Sequence, residues 1–301
     1  GIVNWSGGHI NLHNSTVFTN TITGTINATG NDLFQQTSGS TLFANAGTFS
    51  KTGGAGTTTI TTPCTNTGTL MGTTGIISLS GGVTNTGTLG GPTMQVSGTT
   101  ALNSGTVMNV TDFQQTGGTL ATNVPIAFST FQMLGGTLNL NSPCTTTNLT
   151  FGNGIINGPS SLTMSGTTTW SSGGSVLETD LIMLSGSVTN FSVGSQLMNG
   201  SVTNSGTFNW TGGDLNLWNT TTFTNTAAGT FNAIGNNPIQ NIGGSPSFIN
   251  AGNFIKTTGP GTTTVGVAYT NSGTTKGLGT IDFTSTLTNT CLLYTSDAAD
   301  E

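Results

Sequence analysis

Two carboxylates, Glu178 and Asp180, stand two positions apart in the sequence LETD. Glycosidases act with a pair of carboxyl groups about 5–10 Å apart, and alternate residues of a strand share one face within that distance. The chain has no arginine, and no lysine lies near this pair. We therefore expect a solvated strand face here and assign no catalytic residue, while Glu178 and Asp180 stay the alternative for carbohydrate chemistry.

Cysteines and histidines are too few and too scattered to build a metal or nucleophilic site. Cys64 and Cys144 each follow a proline and lie several predicted coils apart, so we expect two buried free thiols and no disulfide. His9 and His13 lie in a strand-and-turn context without neighbouring Cys, Asp or Glu to complete a ligand set. No metal site is predicted.

Tryptophans precede Gly-Gly turns at three places, in NWSGG, NWTGG and TWSSGG, which contain Trp5, Trp210 and Trp170. Exposed aromatic rings could hold sugar rings. However, Gly206, Phe208 and Trp210 alternate along one strand, so the indole shares the apolar face. Core packing is the favoured interpretation.

The chain contains an internal duplication. Residues 3–86 match residues 208–290, and more than half of the first 68 aligned pairs are identical. VNWSGGHINLHNSTVFTNT lies over FNWTGGDLNLWNTTTFTNT, and KTGGAGTTTI lies over KTTGPGTTTV. Internal repetition on this scale predicts a stacked architecture. We expect one continuous domain over residues 1–290.

A shorter unit, apolar-x-Asn-x-Gly-x-apolar, recurs within each copy, and its period of two is that of a strand. Units of roughly 18–25 residues cannot bury an apolar face alone and must stack on one another. The sequence predicts an all-β, parallel, right-handed β-solenoid. Its interior asparagines would hydrogen-bond to each other and to turn backbone, and its glycines would allow tight bends. The predicted ladder residues are Asn45, Asn66, Asn85, Asn103, Asn204, Asn250, Asn271, Gly47, Gly68, Gly87, Gly206 and Gly252.

The composition excludes several function classes. Only 4% of residues are charged and the net charge is −6, so the basic surface that nucleic acid needs is missing. No apolar run is long enough to span a bilayer. The Gly-rich run KTGGAGTTT lacks the Gly-Lys-Ser/Thr ending of a phosphate loop, and no cofactor is predicted.

The units VTNTGTL and VTNSGTF resemble the Gly/Thr/Asn-rich β-helical passengers of bacterial autotransporters and filamentous-haemagglutinin-type adhesins. The resemblance extends over nearly the whole chain to residue 290. It implies an extracellular or bacterial cell-surface location and a structural or adhesive stalk without enzymatic activity. It also implies cell-surface glycans or host and matrix surfaces as partners. The alternative is a carbohydrate-active or carbohydrate-binding β-helix.

The last eleven residues, CLLYTSDAADE, depart from this pattern. Val83-Thr84-Asn85-Thr86 aligns with residues 287–290, but Gly87-Thr88-Leu89 has no counterpart after them. Residues 291–301 resemble a translated sequencing adapter, which is typical of a metagenomic fragment. We expect a non-native tail, and we expect the fragment to associate end to end through uncapped strands.

Overall fold

The computed structural model describes residues 1–171, 173–192, 194, 196–258, 260–291 and 293–295. These residues form 40 strands and include no helix, so none that could span a membrane. The chain divides into two compact units, Gly1–Cys144 and Thr145–Glu301, which are described separately.

The strands of the first unit are β1 (Ile2–Trp5), β2 (Ile10–Leu12), β3 (Val17–Asn20), β4 (Thr25–Ala28), β5 (Leu33–Gln36), β6 (Leu42–Asn45), β7 (Thr48–Lys51), β8 (Thr57–Ile60), β9 (Cys64–Asn66), β10 (Thr69–Gly72), β11 (Ile76–Leu79), β12 (Val83–Asn85), β13 (Thr88–Val96), β14 (Thr100–Leu102), β15 (Val107–Gln115), β16 (Thr119–Thr122), β17 (Ile126–Met133) and β18 (Thr137–Leu140).

Those of the second unit are β19 (Cys144–Phe151), β20 (Ile155–Asn157), β21 (Ser161–Met164), β22 (Thr167–Trp170), β23 (Val176–Leu177), β24 (Asp180–Met183), β25 (Val188–Phe191), β26 (Gln196–Met198), β27 (Val202–Asn204), β28 (Thr207–Trp210), β29 (Leu215–Asn219), β30 (Thr222–Asn225), β31 (Thr230–Ala233), β32 (Ile239–Gly244), β33 (Ser247–Asn250), β34 (Asn253–Lys256), β35 (Thr262–Val265), β36 (Ala268–Asn271), β37 (Thr274–Gly277), β38 (Thr280–Phe283), β39 (Leu287–Asn289) and β40 (Leu293–Thr295).

In the first unit, the coils from β1 to β12 consist of three strands each, and every strand pairs in parallel with its counterpart in the next coil. Face 1 contains β1, β4, β7 and β10. Face 2 contains β2, β5, β8 and β11. Face 3 contains β3, β6, β9, β12, β14, β16 and β18. The long strand β13 pairs with both β10 and β11, so it covers faces 1 and 2 without a break.

The second unit follows the same plan. Face 1 contains β22, β25, β28, β31, β34, β37 and β40. Face 2 contains β20, β23, β26, β29, β32, β35 and β38. Face 3 contains β21, β24, β27, β30, β33, β36 and β39.

Strand alternation explains why a chain so poor in apolar residues can fold. In β31, Phe231 and Ala233 are buried while Thr230 and Asn232 are only partly buried. β-Branched threonine suits the outward positions of a pleated strand, and the inward positions need only one large side chain per pair of residues. Stacking then places equivalent inward residues in columns.

Aromatic columns form the core of the second unit. Phe208, Phe231 and Phe254 stack on face 1 with ring centroids 5.0 Å apart at each step. Phe223 stacks on Phe248 on face 3 at 4.8 Å, and Phe231 meets Phe248 edge to face at 5.2 Å. Both geometries are the favoured ones for aromatic pairs. The predicted fold class, an all-β parallel solenoid, is confirmed, with right-handed coils and about 15 turns.

Residues 292 and 296–301 of the predicted non-native tail lie outside the described residues. Between them, β40 pairs in parallel with β37. The origin of the tail stays a prediction.

Candidate functional site

An interior row of asparagines runs along face 3 of the first unit. Asn20 donates from Nδ2 to Oδ1 of Asn45, Asn45 donates to Asn66, and Asn66 donates to Asn85, each at 2.7 Å. Each amide also donates to a main-chain carbonyl, as Asn45 does to Thr69 O at 3.0 Å. The row ends where Asn85 donates to the Thr106 hydroxyl. Because each inner amide, such as that of Asn45 or Asn66, has partners above and below, this polar row is compatible with a buried position.

The second unit repeats the row. Asn204 donates to Asn225, Asn225 to Asn250, Asn250 to Asn271 and Asn271 to Asn289, at 2.7–2.8 Å. Asn20, Asn225 and Asn289 belong to the rows but were not among the predicted ladder residues. The duplication contains a signal for two of them, because Asn225 lies over Asn20 and both precede the next asparagine of the row by 25 residues.

Asn103 is a correction to the predicted ladder. Leu102, and not Asn103, pairs with Asn85 on face 3. Asn103 instead accepts from Asn123, which accepts from Asn141, in an exposed row with 2.7 Å hydrogen bonds. Side chains alternate between the two sides of a strand, so a register change of one residue moves an asparagine from the interior to the surface.

The glycines that follow the interior asparagines are required by close backbone approach. A Cβ atom added to Gly68 would lie 2.1 Å from Gly47 O, and one added to Gly87 would lie 2.1 Å from Gly68 O. Gly252 and Gly206 are similarly restricted, at 2.2 Å from Gly229 O and 2.4 Å from Ser187 O. The coils touch at this corner, where no side chain can fit.

Two lysines are fully buried, one in each copy of the duplication. Lys51 Nζ donates to Gly30 O (2.9 Å), Asn31 Oδ1 (3.0 Å) and Gly53 O (2.8 Å). Burial lowers the pKa of Lys51 below its ordinary value, and the Asp32 carboxylate opposes this shift. Three oxygen acceptors satisfy the three hydrogens of an ammonium group.

Lys256 reproduces this arrangement with one substitution among the acceptors. Its Nζ donates to Gly235 O (3.1 Å), Asn236 Oδ1 (2.7 Å) and Thr263 Oγ1 (3.0 Å). Burial lowers the pKa of Lys256 as well. The duplication aligns the two lysines, but the sequence alone indicates no role for them. Each ammonium group thus donates hydrogen bonds to the corner between faces 1 and 2 of the preceding coil.

Glu178 and Asp180 lie at the corner between faces 2 and 3 of the second unit. They flank a bend, since β23 ends at Leu177 and β24 begins at Asp180, and are not in one strand. Thr179 between them is buried and donates to Gly158 O (3.2 Å), while both carboxylates are exposed. Asp180 Oδ1 accepts from the main-chain N–H of Ser201 (3.1 Å).

These two carboxylates line a polar cavity of about 290 Å³, which we call the corner groove. It is formed by the same corner in four successive coils, at residues 158–160, 178–180, 199–201 and 220–221. Gly200 contributes to its floor, where an added Cβ would lie 1.9 Å from Thr179 O. Its rim consists of carboxylate, amide and hydroxyl groups, which are suited to a ligand rich in hydroxyl groups.

Trp218 precedes the last corner of the groove by two residues and is not itself one of the lining residues. Its carbonyl accepts from the N–H of Thr221 at 3.1 Å, and the next residue, Asn219, donates to Asn199 Oδ1 at 2.8 Å. Thr221 and Asn199 both line the groove. The register of β29 against β32 shifts between Leu217 and Asn219, and Asn219 has a φ of 55°. The Trp218 side chain is 39% exposed.

The three tryptophans noted in the sequence are buried. Trp5 Nε1 donates to Gly8 O and Trp210 Nε1 to Gly213 O, and Trp170 packs between Phe151 and Phe191. Sequence reasoning missed Trp218, the exposed one. The alternation of LNLW predicts an outward indole, because Leu215 and Leu217 point inward.

The remaining candidate residues make only local contacts. Cys64 and Cys144 are buried free thiols, and burial raises the pKa of Cys64 to about 12. His9 Nδ1 accepts from the N–H of Leu33, and His13 Nδ1 contacts the Thr37 hydroxyl. Within the described part of the chain, no three Cys, His, Asp or Glu side chains converge on a metal position.

Comparison of the chain with protein-family models, with curated proteins and with solved structures finds no match.

Proposed function

We propose that this chain is a structural and adhesive β-solenoid segment of a secreted bacterial surface protein and performs no catalysis. The observation that carries the proposal is the continuous interior asparagine row in each unit. The asparagine carboxamides inside the coils bond each coil to the next. Bonds of this kind stabilise a repetitive scaffold and leave its outer faces available for contact.

The composition of the outer faces supports an adhesive role. Outward positions are dominated by Thr, Ser and Asn, as in the column Thr25, Thr48, Thr69 and Thr88 on face 1. Uncharged hydroxyl and amide groups can hydrogen-bond to glycans and to matrix proteins without the salt sensitivity of ion pairs. The resemblance to passenger repeats supports the extracellular setting.

Retention of coated beads under flow tests the adhesive function. Beads carrying the 301-residue chain are passed over mucin-coated, collagen-coated and bare glass, with albumin-coated beads as the control. We expect retention of chain-coated beads on at least one coated surface above the albumin level. Retention equal to albumin on every surface would contradict the adhesive role.

The corner groove favours one second candidate, a carbohydrate-active β-helix that uses Glu178 and Asp180. A screen for release of reducing ends from neutral and acidic polysaccharides separates the two functions. The non-catalytic proposal expects no release. Turnover that disappears in Glu178→Ala would establish the enzyme instead.

A further inference from the structure

We propose that the corner groove of the second unit binds a neutral oligosaccharide that extends past the end of the groove onto the exposed Trp218 indole as a stacking platform, with Glu178 and Asp180 as acceptors for sugar hydroxyls. This inference rests on the proposed adhesive function and names the site and the ligand class. The groove follows one corner through four coils, or about 14 Å at a coil spacing of about 4.8 Å. An extended chain of a few pyranose rings fits that length.

The side chains in the groove and the indole beyond its end match the two sides of a sugar ring. A pyranose has an apolar C–H face and an edge of hydroxyl groups. An exposed indole offers a large, rigid apolar face at a small entropic cost. Carboxylates accept hydrogen bonds from hydroxyls more strongly than neutral groups do. Asn199 and Ser201 on the neighbouring coil add an amide and a hydroxyl.

The Trp218 indole lies over the backbone of the next coil. Gly243, on the next coil, has a φ of 150°, and a Cβ atom there would lie 2.9 Å from Trp218 Nε1. The absence of a side chain at Gly243 therefore makes room for the indole. The bond from Asn219 to Asn199 connects the same turn to the groove wall.

The first copy of the duplication contains the same turn without the tryptophan. His13 aligns with Trp218, its carbonyl accepts from Thr16 N at 3.1 Å, and Asn14 has a φ of 52°. The turn is thus part of the solenoid, whereas the indole is specific to the second copy. His13→Ala is a matched control, because it truncates an exposed ring on an equivalent backbone.

The charge of the groove lining favours neutral over anionic carbohydrates. The groove lining contains two carboxylates and no lysine, so an anionic polysaccharide or a nucleic acid would be repelled. Neutral sugars avoid this repulsion and still use the carboxylates as acceptors. A neutral ligand is therefore expected to bind, and its binding is expected to depend only weakly on salt.

Titration calorimetry of the 301-residue chain tests the site. The probes are cellohexaose, mannohexaose and N-acetylchitohexaose, with oligogalacturonate as the anionic comparison. We expect saturable binding of at least one neutral probe and none of oligogalacturonate. Trp218→Ala should weaken that binding by about tenfold or more, as truncation of a central aromatic contact does. The double variant Glu178→Gln, Asp180→Asn should also weaken it, whereas Trp218→Phe should retain part of it and His13→Ala all of it.

Two results would overturn the site, and thermal melts of each variant ensure that only folded proteins are compared. One is no heat from any neutral probe at millimolar concentration. The other is equal binding by wild type and Trp218→Ala. Bead retention separates this failure from failure of the adhesive function. If either result is seen while wild-type beads are still retained above the albumin level, the groove assignment is wrong while adhesion stands.

Discussion

At the scale of single residues, buried polar side chains are stable only where each hydrogen bond has a partner. Asn66 illustrates this, since it accepts from Asn45 and donates to Asn85 and to Thr88 O. Its neighbours depend on it in turn. Removing one carboxamide from the middle of the row orphans groups on both sides, and each unsatisfied buried group costs about 1–3 kcal/mol.

We predict that Asn66→Ala lowers the thermal midpoint strongly, whereas Asn123→Ala changes it little. Asn123 is the matched control, because it is also the middle member of an asparagine row but is exposed to water. Differential scanning calorimetry on both variants measures the effect. Equal shifts for the two variants would show that the interior row is not a stabilising feature.

The buried lysines predict a pH dependence. Burial places the pKa of Lys51 in the folded chain below its value in the unfolded chain. Between those two values the unfolded chain binds more protons, so the contribution of this group to stability rises as pH increases. The Lys51→Met variant lacks the contribution.

We therefore expect the difference in denaturation midpoint, wild type minus Lys51→Met, to increase from pH 7 towards pH 10. Titration of Cys64, Tyr269 and other groups is common to both proteins and cancels in the difference. Urea unfolding followed by tryptophan fluorescence is the measurement. A difference that is constant or falls with pH would contradict a lowered lysine pKa.

At the scale of elements, the turns set how closely the coils approach. Gly68→Ala places a methyl group 2.1 Å from Gly47 O, so the corner between faces 3 and 1 must open. Overpacking of this kind costs about 1–3 kcal/mol or more. We expect a clear loss of thermal stability in Gly68→Ala and almost none in Gly7→Ala, since a Cβ at Gly7 has nothing within 4 Å. Similar melting of the two variants would indicate that the corner adapts.

At the scale of the whole polypeptide, exposed strand edges favour self-association. Strand β1 pairs on one side with β4, and its residues Ile2 and Val3 are 72% and 45% exposed. Unpaired main-chain groups beside exposed apolar side chains are a template for a further strand. We expect the 301-residue chain to form concentration-dependent assemblies in sedimentation velocity, and Val3→Lys to reduce them. A single monomeric species at all concentrations would refute this expectation.

Period and repetition in the sequence determined the architecture. Alternation of apolar and polar residues indicates strands, and duplication with short repeats permits only stacking of like on like. The alignment of Trp5 with Trp210 and of Lys51 with Lys256 was also evident at that level. These features are local or repeated, so they can be recognised without knowing which coils touch.

Register, in contrast, was decided by the tertiary structure. The tripeptide VTN occurs at 188–190 and at 202–204, yet Asn190 accepts from Asn209 on face 1 while Asn204 belongs to the interior row of face 3. The outward position of Asn103 and the alignment of the corners that form the groove were likewise decided by register. Which side a residue occupies, and which corners align into a groove, depends on how many residues each coil uses to close. That number is set by packing against the neighbouring coils, because a change of one residue exchanges the inner and outer sides of a strand.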